Sequence, residues 1–302
     1  MRRADGNTIR SNDPMYQVVP FVMTKRYDAT NEIDIDIDLE PIQAYIKECR
    51  SKGNPISHLS IIVSAYLRMA SQNPFVNRFC MNKKIFARNH FCVSMVTLTP
   101  NKAGNTVNKI YLNLDDDIFT VNKKINDAIE NVRENDKNNS MDKLANKLTS
   151  IPFLLRIGAL CLKALDKLLT MPFWAIDASP FHTSLFITNL ASIRSSAVYH
   201  HLYEFGTTGI FISMGQPEKK TYLNDEGDAD ERKIMNLKIT TDERIADGHY
   251  YVKCFKDMSK YLKNPKLLEE KAQSVVYDPD VKRKNWKWIT KENDQFVKTI
   301  VK

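Results

Sequence analysis

Strand-like and helix-like patterns alternate along this chain, which places it in the α/β or α+β class, with strands and helices interleaved in one sheet-based body. The clearest strand is residues 31–40. There Ile33, Ile35, Ile37 and Leu39 alternate with Asp34, Asp36 and Asp38, the period-two pattern of a half-buried strand with a wet outer face. The spacing then switches to a helical one: Pro41 suits a first turn, and Ile42, Tyr45, Ile46 and Cys49 share a face. No Pro/Gly/Ser-rich linker and no internal repeat interrupts the sequence of elements, so nothing marks a boundary between two domains.

The remaining elements follow in order. Residues 1–14 read as a polar leader. The three Asp of the first strand are too far apart in line, about 7 Å, and lack a loop to wrap a cation, so they read as a solvated face rather than a metal site. A helix is predicted from Ser57 to Ser71, ending before Asn73-Pro74. His90 to Thr99 alternates and predicts a strand, and Lys109 to Leu114 another. A helix then carries Ile118, Val121, Ile125, Ile129 and Val132, and residues 133–140 read as a polar surface loop. From Ile151 to Leu169 the charged residues Arg156, Lys163, Asp166 and Lys167 share an arc of about 100°, leaving the rest apolar. Such a helix is expected to be packed on several sides, in a core or a subunit contact, or along the wall of a greasy substrate channel. His182 to Leu190 predicts a strand with hydroxyls at Thr183, Ser184 and Thr188. Met235 to Thr241 predicts a last strand, turned by residues 242–248 into a helix with Tyr251, Val252, Phe255, Met258 and Leu262 on one face.

Composition removes several function classes. The 302 residues carry 44 Lys+Arg against 36 Asp+Glu, and a net charge of +8 spread over that length does not make a nucleic-acid arm. Five widely spaced cysteines with no CxxC pair fit neither a disulfide framework nor a zinc site, so reduced thiols, a cytoplasmic location and no metal are expected. The N-terminus lacks the apolar core of a secretory signal. The most apolar stretch, Ile151 to Ile176, is broken by four charges where a span needs about 20 mostly uncharged residues, so no membrane span is expected. The basic run from Val281 to Trp288 interleaves Lys and Arg with Trp and could grip phosphates or headgroups, but it reads more simply as a solvated tail.

The chemistry is concentrated in the last third. The corner Asp242-Glu243-Arg244-Ile245-Ala246-Asp247-Gly248-His249 is dense in titratable groups. With the helix that follows, it resembles the closing motif of the 2-oxo-acid dehydrogenase acyltransferase catalytic domain and its relative chloramphenicol acetyltransferase, a His-x-x-x-Asp-Gly signature before a helix. Ser184 to Ser196 resembles that family's strand ending in Ser-Asn-Leu-Gly, and Thr207 to Lys220 resembles the strand that follows it. The resemblance covers residues 15–270, most strongly after Phe181. It sets 1–14 apart as a leader and 271–302 as a basic tail.

The resemblance implies a mixed sheet flanked by helices, the chloramphenicol acetyltransferase-like fold, assembled as a homotrimer. It implies a channel between subunits that coenzyme A (or acyl-CoA) enters from one side and a small-molecule acyl acceptor from the other. The family's motif His is a general base, and a Ser or Thr of the neighbouring subunit stabilises the tetrahedral oxyanion. Carried over, Thr188 takes the oxyanion-hydroxyl position with Asn189 beside it as an assisting group, and Asp247-Gly248 the Asp-Gly, with Asp247 expected to pair with Arg244 and brace the corner.

The catalytic-His position is occupied by Glu243. A neutral imidazole lies about 2 pKa units below a thiol and a carboxylate about 4, a difference of about 3 kcal/mol that burial of a carboxylate can recover. Glu243 is therefore an allowed base, and it could equally be bound to Arg244 or another cation. His249, at a helix start, and His200, His201 and His182 are the alternatives. No lipoyl-attachment domain is recognisable ahead of the matched region. The reading is a stand-alone coenzyme-A-dependent acyltransferase, the alternative being a catalytically inactive relative that serves as a binding or scaffold protein.

Overall fold

The computed structural model describes residues 3–10, 13–98, 105–134, 152–223 and 226–281. Its centre is a six-stranded mixed sheet in the order β2-β9-β8-β7-β5-β6. These strands are β2 (Thr30–Asp38), β5 (Cys92–Leu98), β6 (Asn105–Tyr111), β7 (Leu185–Asn189), β8 (Ile210–Leu223) and β9 (Ala229–Asp242). The pairs β5–β7 and β7–β8 are parallel and the other three antiparallel. A smaller antiparallel sheet joins β1 (Gly6–Thr8), β4 (Lys84–Arg88) and β3 (Arg78–Met81). The helices are α1 (Pro14–Val22), α2 (Glu40–Ser51), α3 (His58–Gln72), α4 (Ile118–Glu134), α5 (Pro152–Lys167), α6 (Phe173–Ala178) and α7 (Gly248–Lys263).

One face of the large sheet builds the main core. Leu185, Ile187, Ile212, Leu237 and Ile239 meet α3, α4 and α7 there, and α3 is buried almost all round. Ser57 caps α3 by accepting from the Ser60 amide at 3.1 Å, which fixes where that helix starts. The opposite face carries Phe186, Phe211 and Leu202, and beyond them the aspartates of β2. Asp34 is bound by Lys238 at 3.0 Å and Asp36 by Lys220 at 2.6 Å, so the acidic row is answered by cations from β8 and β9.

Several expectations need correction. Residues 3–10 do more than lead into the fold. Gly6 to Thr8 pair with β4, and Arg3 and Asp5 are fully buried. Arg3 binds Asp5 at 2.8 Å and Asp166 at 2.9 Å, and Asp166 lies 3.2 Å from His182 Nε2. A buried charge network of this kind spans residues over 160 positions apart, and no local pattern reveals it. The strand expected over 109–114 begins at Asn105 and ends at Tyr111. Val252 is 47% exposed, and Cys254 takes its place on the buried face of α7.

The largest departure is α5. Only Asp166 among its residues of known burial is buried, with Leu162 partly covered, while Phe153, Ile157, Leu160 and Leu165 are exposed. The helix is held through its last turn, where Asp166 bonds Arg3 and accepts from the Gly206 amide at 3.3 Å, and Leu169 just beyond packs on Phe79, Met81 and Phe86. Among the described residues it is therefore no core helix. Of the expected polar loop, residues 135–140 lie outside the described residues, as does the basic run after Val281. Among the described residues no helix is long and apolar enough to cross a membrane. None of the cysteines is paired, four being buried and Cys161 exposed.

Candidate active site

The acidic corner is built at the end of β9. Asp242 ends the strand, with its amide bonded to Gly209 O at 2.9 Å. The Glu243 amide then bonds Ala29 O at 2.8 Å, which steps the chain over to the start of β2. Ile245 and Ala246 are fully buried and pin the turn. Gly209 is needed opposite them, because a Cβ there would stand 2.4 Å from Ile245 Cδ1. Asp247 caps α7, accepting from the Tyr250 amide at 2.7 Å.

Arg244 does not pair with Asp247, as the sequence suggested. It turns inward and grips Asp242 with two bonds, Nε to Oδ1 at 2.8 Å and Nη2 to Oδ2 at 2.7 Å. Asp242 also lies 3.5 Å from Arg26 Nε, and its backbone carbonyl accepts from Tyr251 Oη at 2.9 Å. Burial works to lower the Arg244 pKa, but the hydrogen bonds and charge of Asp242 raise it on balance. Burial prevails at Arg26 and lowers its pKa against the pull of Asp242. The residue that braces the corner is thus Asp242, two positions before Arg244. Asp247 does a separate job, starting the helix.

This arrangement leaves Glu243 free of the cations around it. The residue is half-buried, and among the described residues no hydrogen bond or ion pair reaches its carboxylate. Gly248 is half-buried too, and a Cβ there would meet nothing closer than Asn31 Nδ2 at 3.9 Å. Nothing in the described part of this chain calls for glycine at that position.

Thr188 and Asn189 lie elsewhere. Thr188 pairs with Ser213 and Ser213 with Lys238, so Thr188 is level with Lys238. Asp242 is four residues further along β9, about 14 Å along the strand direction and about 10 Å across two strand spacings. Within one chain the hydroxyl and the carboxylate cannot meet. Thr188 is half-buried, and among the described residues no hydrogen bond involves its hydroxyl. Asn189 Oδ1 beside it is buried with no hydrogen-bond partner among the described residues, an acceptor that lacks a donor.

The histidines divide between surface, stack and core. His249 is exposed at the start of α7, seven residues after the end of β9. His201 is exposed, and His200 is half-buried with its ring flat on Phe211, centroids 4.1 Å apart. Phe211 is two residues before Ser213 on β8, so His200 lies on the same face of the sheet as Thr188, between the level of Thr188 and that of Asp242. His182 is fully buried: Nδ1 meets Ser179 Oγ at 2.8 Å and Nε2 faces Asp166. A Ser–His–Asp string of this kind invites a catalytic reading, but none of its members is accessible. It holds α5 and the 179–183 segment to the N-terminus.

The family model described as 2-oxoacid dehydrogenases acyltransferase (catalytic domain) matches residues 183–269, which include both Thr188 and the acidic corner. None of the curated protein sequences matches the chain. Among solved structures, a probable dihydrolipoamide acetyltransferase from Listeria monocytogenes superposes with a TM-score of 0.56 at 12% identity, covering 89% of this chain and 97% of its own. A dihydrolipoamide acetyltransferase from Azotobacter vinelandii gives 0.56 at 12% identity, covering 86% and 94%. The catalytic core of a 2-oxoacid dehydrogenase multienzyme complex from Thermoplasma acidophilum gives 0.54 at 14% identity, covering 85% and 98%. These likenesses establish the fold across most of the chain, and the family model adds the motifs at its closing end. Residues 183–269 thus match the model of the 2-oxoacid dehydrogenases acyltransferase catalytic domain, in a chain whose fold is that of dihydrolipoamide acetyltransferase cores.

Proposed function

We propose that this protein is a stand-alone coenzyme-A-dependent acyltransferase whose active site forms between copies of the chain, with Glu243 as general base. The carrying observation is the unpaired state of Glu243. The neighbouring cations Arg26 and Arg244 are held by Asp242, so the carboxylate at the motif's base position is left to accept a proton. The chemistry runs as follows. Glu243 takes the proton of the acceptor's thiol, hydroxyl or amine as that atom attacks the thioester carbonyl carbon. The C–O π electrons move onto oxygen, and Thr188 Oγ1 of a second copy donates to the oxyanion. Collapse re-forms the carbonyl and expels the coenzyme A thiolate, which takes the proton back from the Glu243 carboxyl group.

The distance between Thr188 and Glu243 within one chain supports assembly, for which the family resemblance implies a trimer. The unmet Asn189 acceptor and the open space at Gly248 fit the arrival of groups from outside the chain. Four buried free cysteines fit a reducing, cytoplasmic setting. Incubation with acetyl-CoA and a panel of thiols, amines and alcohols, with free coenzyme A measured, tests the proposal. Turnover should fall by at least about a hundredfold in Glu243→Gln, the scale of a lost general base. Undiminished turnover in that variant would remove Glu243 from the mechanism. The absence of turnover with every acceptor would favour the inactive relative.

A further inference from the structure

α5 turns its most apolar side away from the rest of the chain and is tied down along one stripe only. Leu162 packs on Met171, Ala175 and Ile176, Asp166 four residues later binds Arg3, and Leu169 just beyond the helix reaches Phe79 and Phe86. At 100° per residue the opposite side of the helix, an arc of about 60°, holds Phe153, Ile157, Leu160 and Ala164. Leu168 continues that row, its amide still bonded to Ala164 O at 2.8 Å. All five are exposed, Phe153 by 72% and Leu160 and Leu168 by 67% each. Single exposed leucines are ordinary, but a row that runs over about four turns marks a surface that meets something apolar.

The charges on the same helix say what that is. Arg156, Lys163 and Lys167 fall within about 40° of one another, about 70° round from the centre of the apolar row. All three are exposed, and among the described residues no carboxylate pairs with them. The one acid of the helix, Asp166, is buried and committed to Arg3 and the Gly206 amide. A second α5 laid against the first would set three cations against three, which opposes the contact. The acidic row of β2 in another copy is no better a partner, since Lys238 and Lys220 already hold Asp34 and Asp36. An apolar layer beneath a sheet of phosphate anions matches both stripes at once, because the apolar row enters the first while Arg and Lys reach the second. With 16 residues and four charges, α5 falls short of a span, so it would lie on such a layer and not cross it.

We propose that α5 docks this protein on the surface of a bilayer that contains anionic phospholipid, with Phe153, Ile157, Leu160 and Leu168 below the headgroups and Arg156, Lys163 and Lys167 among the phosphates. The stripe that holds the helix to the body faces away from the lipid, so docking requires no rearrangement of the fold. Neither Glu243 nor Thr188 takes part, and binding is read without turnover, so docking stands or falls separately from the acyltransferase reading.

Co-sedimentation of the full chain with sucrose-loaded vesicles tests it, comparing pure phosphatidylcholine with a mixture that contains phosphatidylglycerol. The mixture should bind about a hundredfold more tightly, since each of three cations near an anionic surface is worth about fivefold, and high salt should remove most of that gain. Leu160→Asp, at a largely exposed position, should weaken binding to both vesicles by at least about tenfold, the scale of one leucine kept in water, with its urea midpoint unchanged. Arg156→Gln, Lys163→Gln and Lys167→Gln combined should abolish the preference for the anionic mixture. Equal binding of the wild type to the two vesicle types, undiminished binding in Leu160→Asp, or no sedimentation with either vesicle would overturn docking. So would a drop in the number of copies per particle in Leu160→Asp, which would give this face to a second copy of the chain.

Discussion

Thr188 lies level with Lys238, two strands away from β9 and four residues short of Asp242, so it is far from Glu243. β7 carries Thr188 at its last turn of pairing with β8, and β9 runs past that level for four more residues before it reaches Asp242. On the proposed reading, a base and an oxyanion donor set this far apart are two half-sites, and a complete site would take two chains.

Mixed assemblies test that relationship directly. Thr188→Ala and Glu243→Gln should each be nearly inactive alone. When the two are co-expressed or refolded together, sites that take Thr188 from one variant and Glu243 from the other are intact, about a quarter of the total for random assembly in a closed ring. Recovery of about a quarter of wild-type turnover is the expected readout. No recovery, from mixtures shown by mass spectrometry to contain both chains, would place the two residues' roles within one chain or remove one of them.

The corner has its own energetic signature. Asp242 is fully buried and faces both Arg26 and Arg244, so Asp242→Asn leaves two buried guanidinium groups without a carboxylate. Breaking one side of a buried ion pair costs about 3–5 kcal/mol, and urea denaturation should show a loss of at least that scale. Asp247→Asn should cost far less, since asparagine caps a helix nearly as well and Asp247 holds no arginine. Equal losses in the two variants would contradict the assignment of the brace to Asp242.

How much of this was legible in sequence depended on distance along the chain. The β2 alternation, the Ser57 cap and the Asp242–Gly248 corner are local patterns, and local physics writes them plainly. Arg244 was recognisable as a brace, but its partner was not, because Asp242 and Asp247 are both within reach and only the inward turn of the chain selects Asp242. For α5 the sequence left core, subunit contact and channel wall open, because an apolar helical pattern states what a helix prefers to cover and not whether the same chain covers it. Arg3, Asp5 and Asp166 were read as leader and helix charges, and the buried bonds of Arg88 to Thr207 gave no signal at all. Those contacts join segments far apart in sequence, where spacing carries no information.

The buried titratable groups set a pH profile whose sign can be worked out. Burial lowers the pKa of His90 well below its ordinary value and lowers that of His182 too, there against the opposing charge of Asp166. Below about pH 6.5 the unfolded chain takes up protons on these residues that the folded chain refuses, so stability falls as pH drops from 7 towards 5. At the other end, burial pushes Lys109 down to about 8 while its Nζ donates to Ile176 O at 2.6 Å. From about pH 8 to about 10.4 the unfolded chain still holds the lysine proton and the folded chain has released it, so this group adds stability as pH rises and the addition is lost as pH falls through 8. Two thiols work the other way. Burial pushes Cys80 up to about 11 and Cys254 up to about 12, so their contribution falls once unfolded thiols ionise above about 8.5. The lysine is therefore isolated by difference. Urea midpoints measured from pH 5 to 10 should give a gap between the wild type and Lys109→Met that moves in favour of the wild type between pH 8 and 10, and a shallower acid-side slope in His90→Phe. A gap that stays constant from pH 8 to 10 would mean that Lys109 keeps its proton in the folded chain.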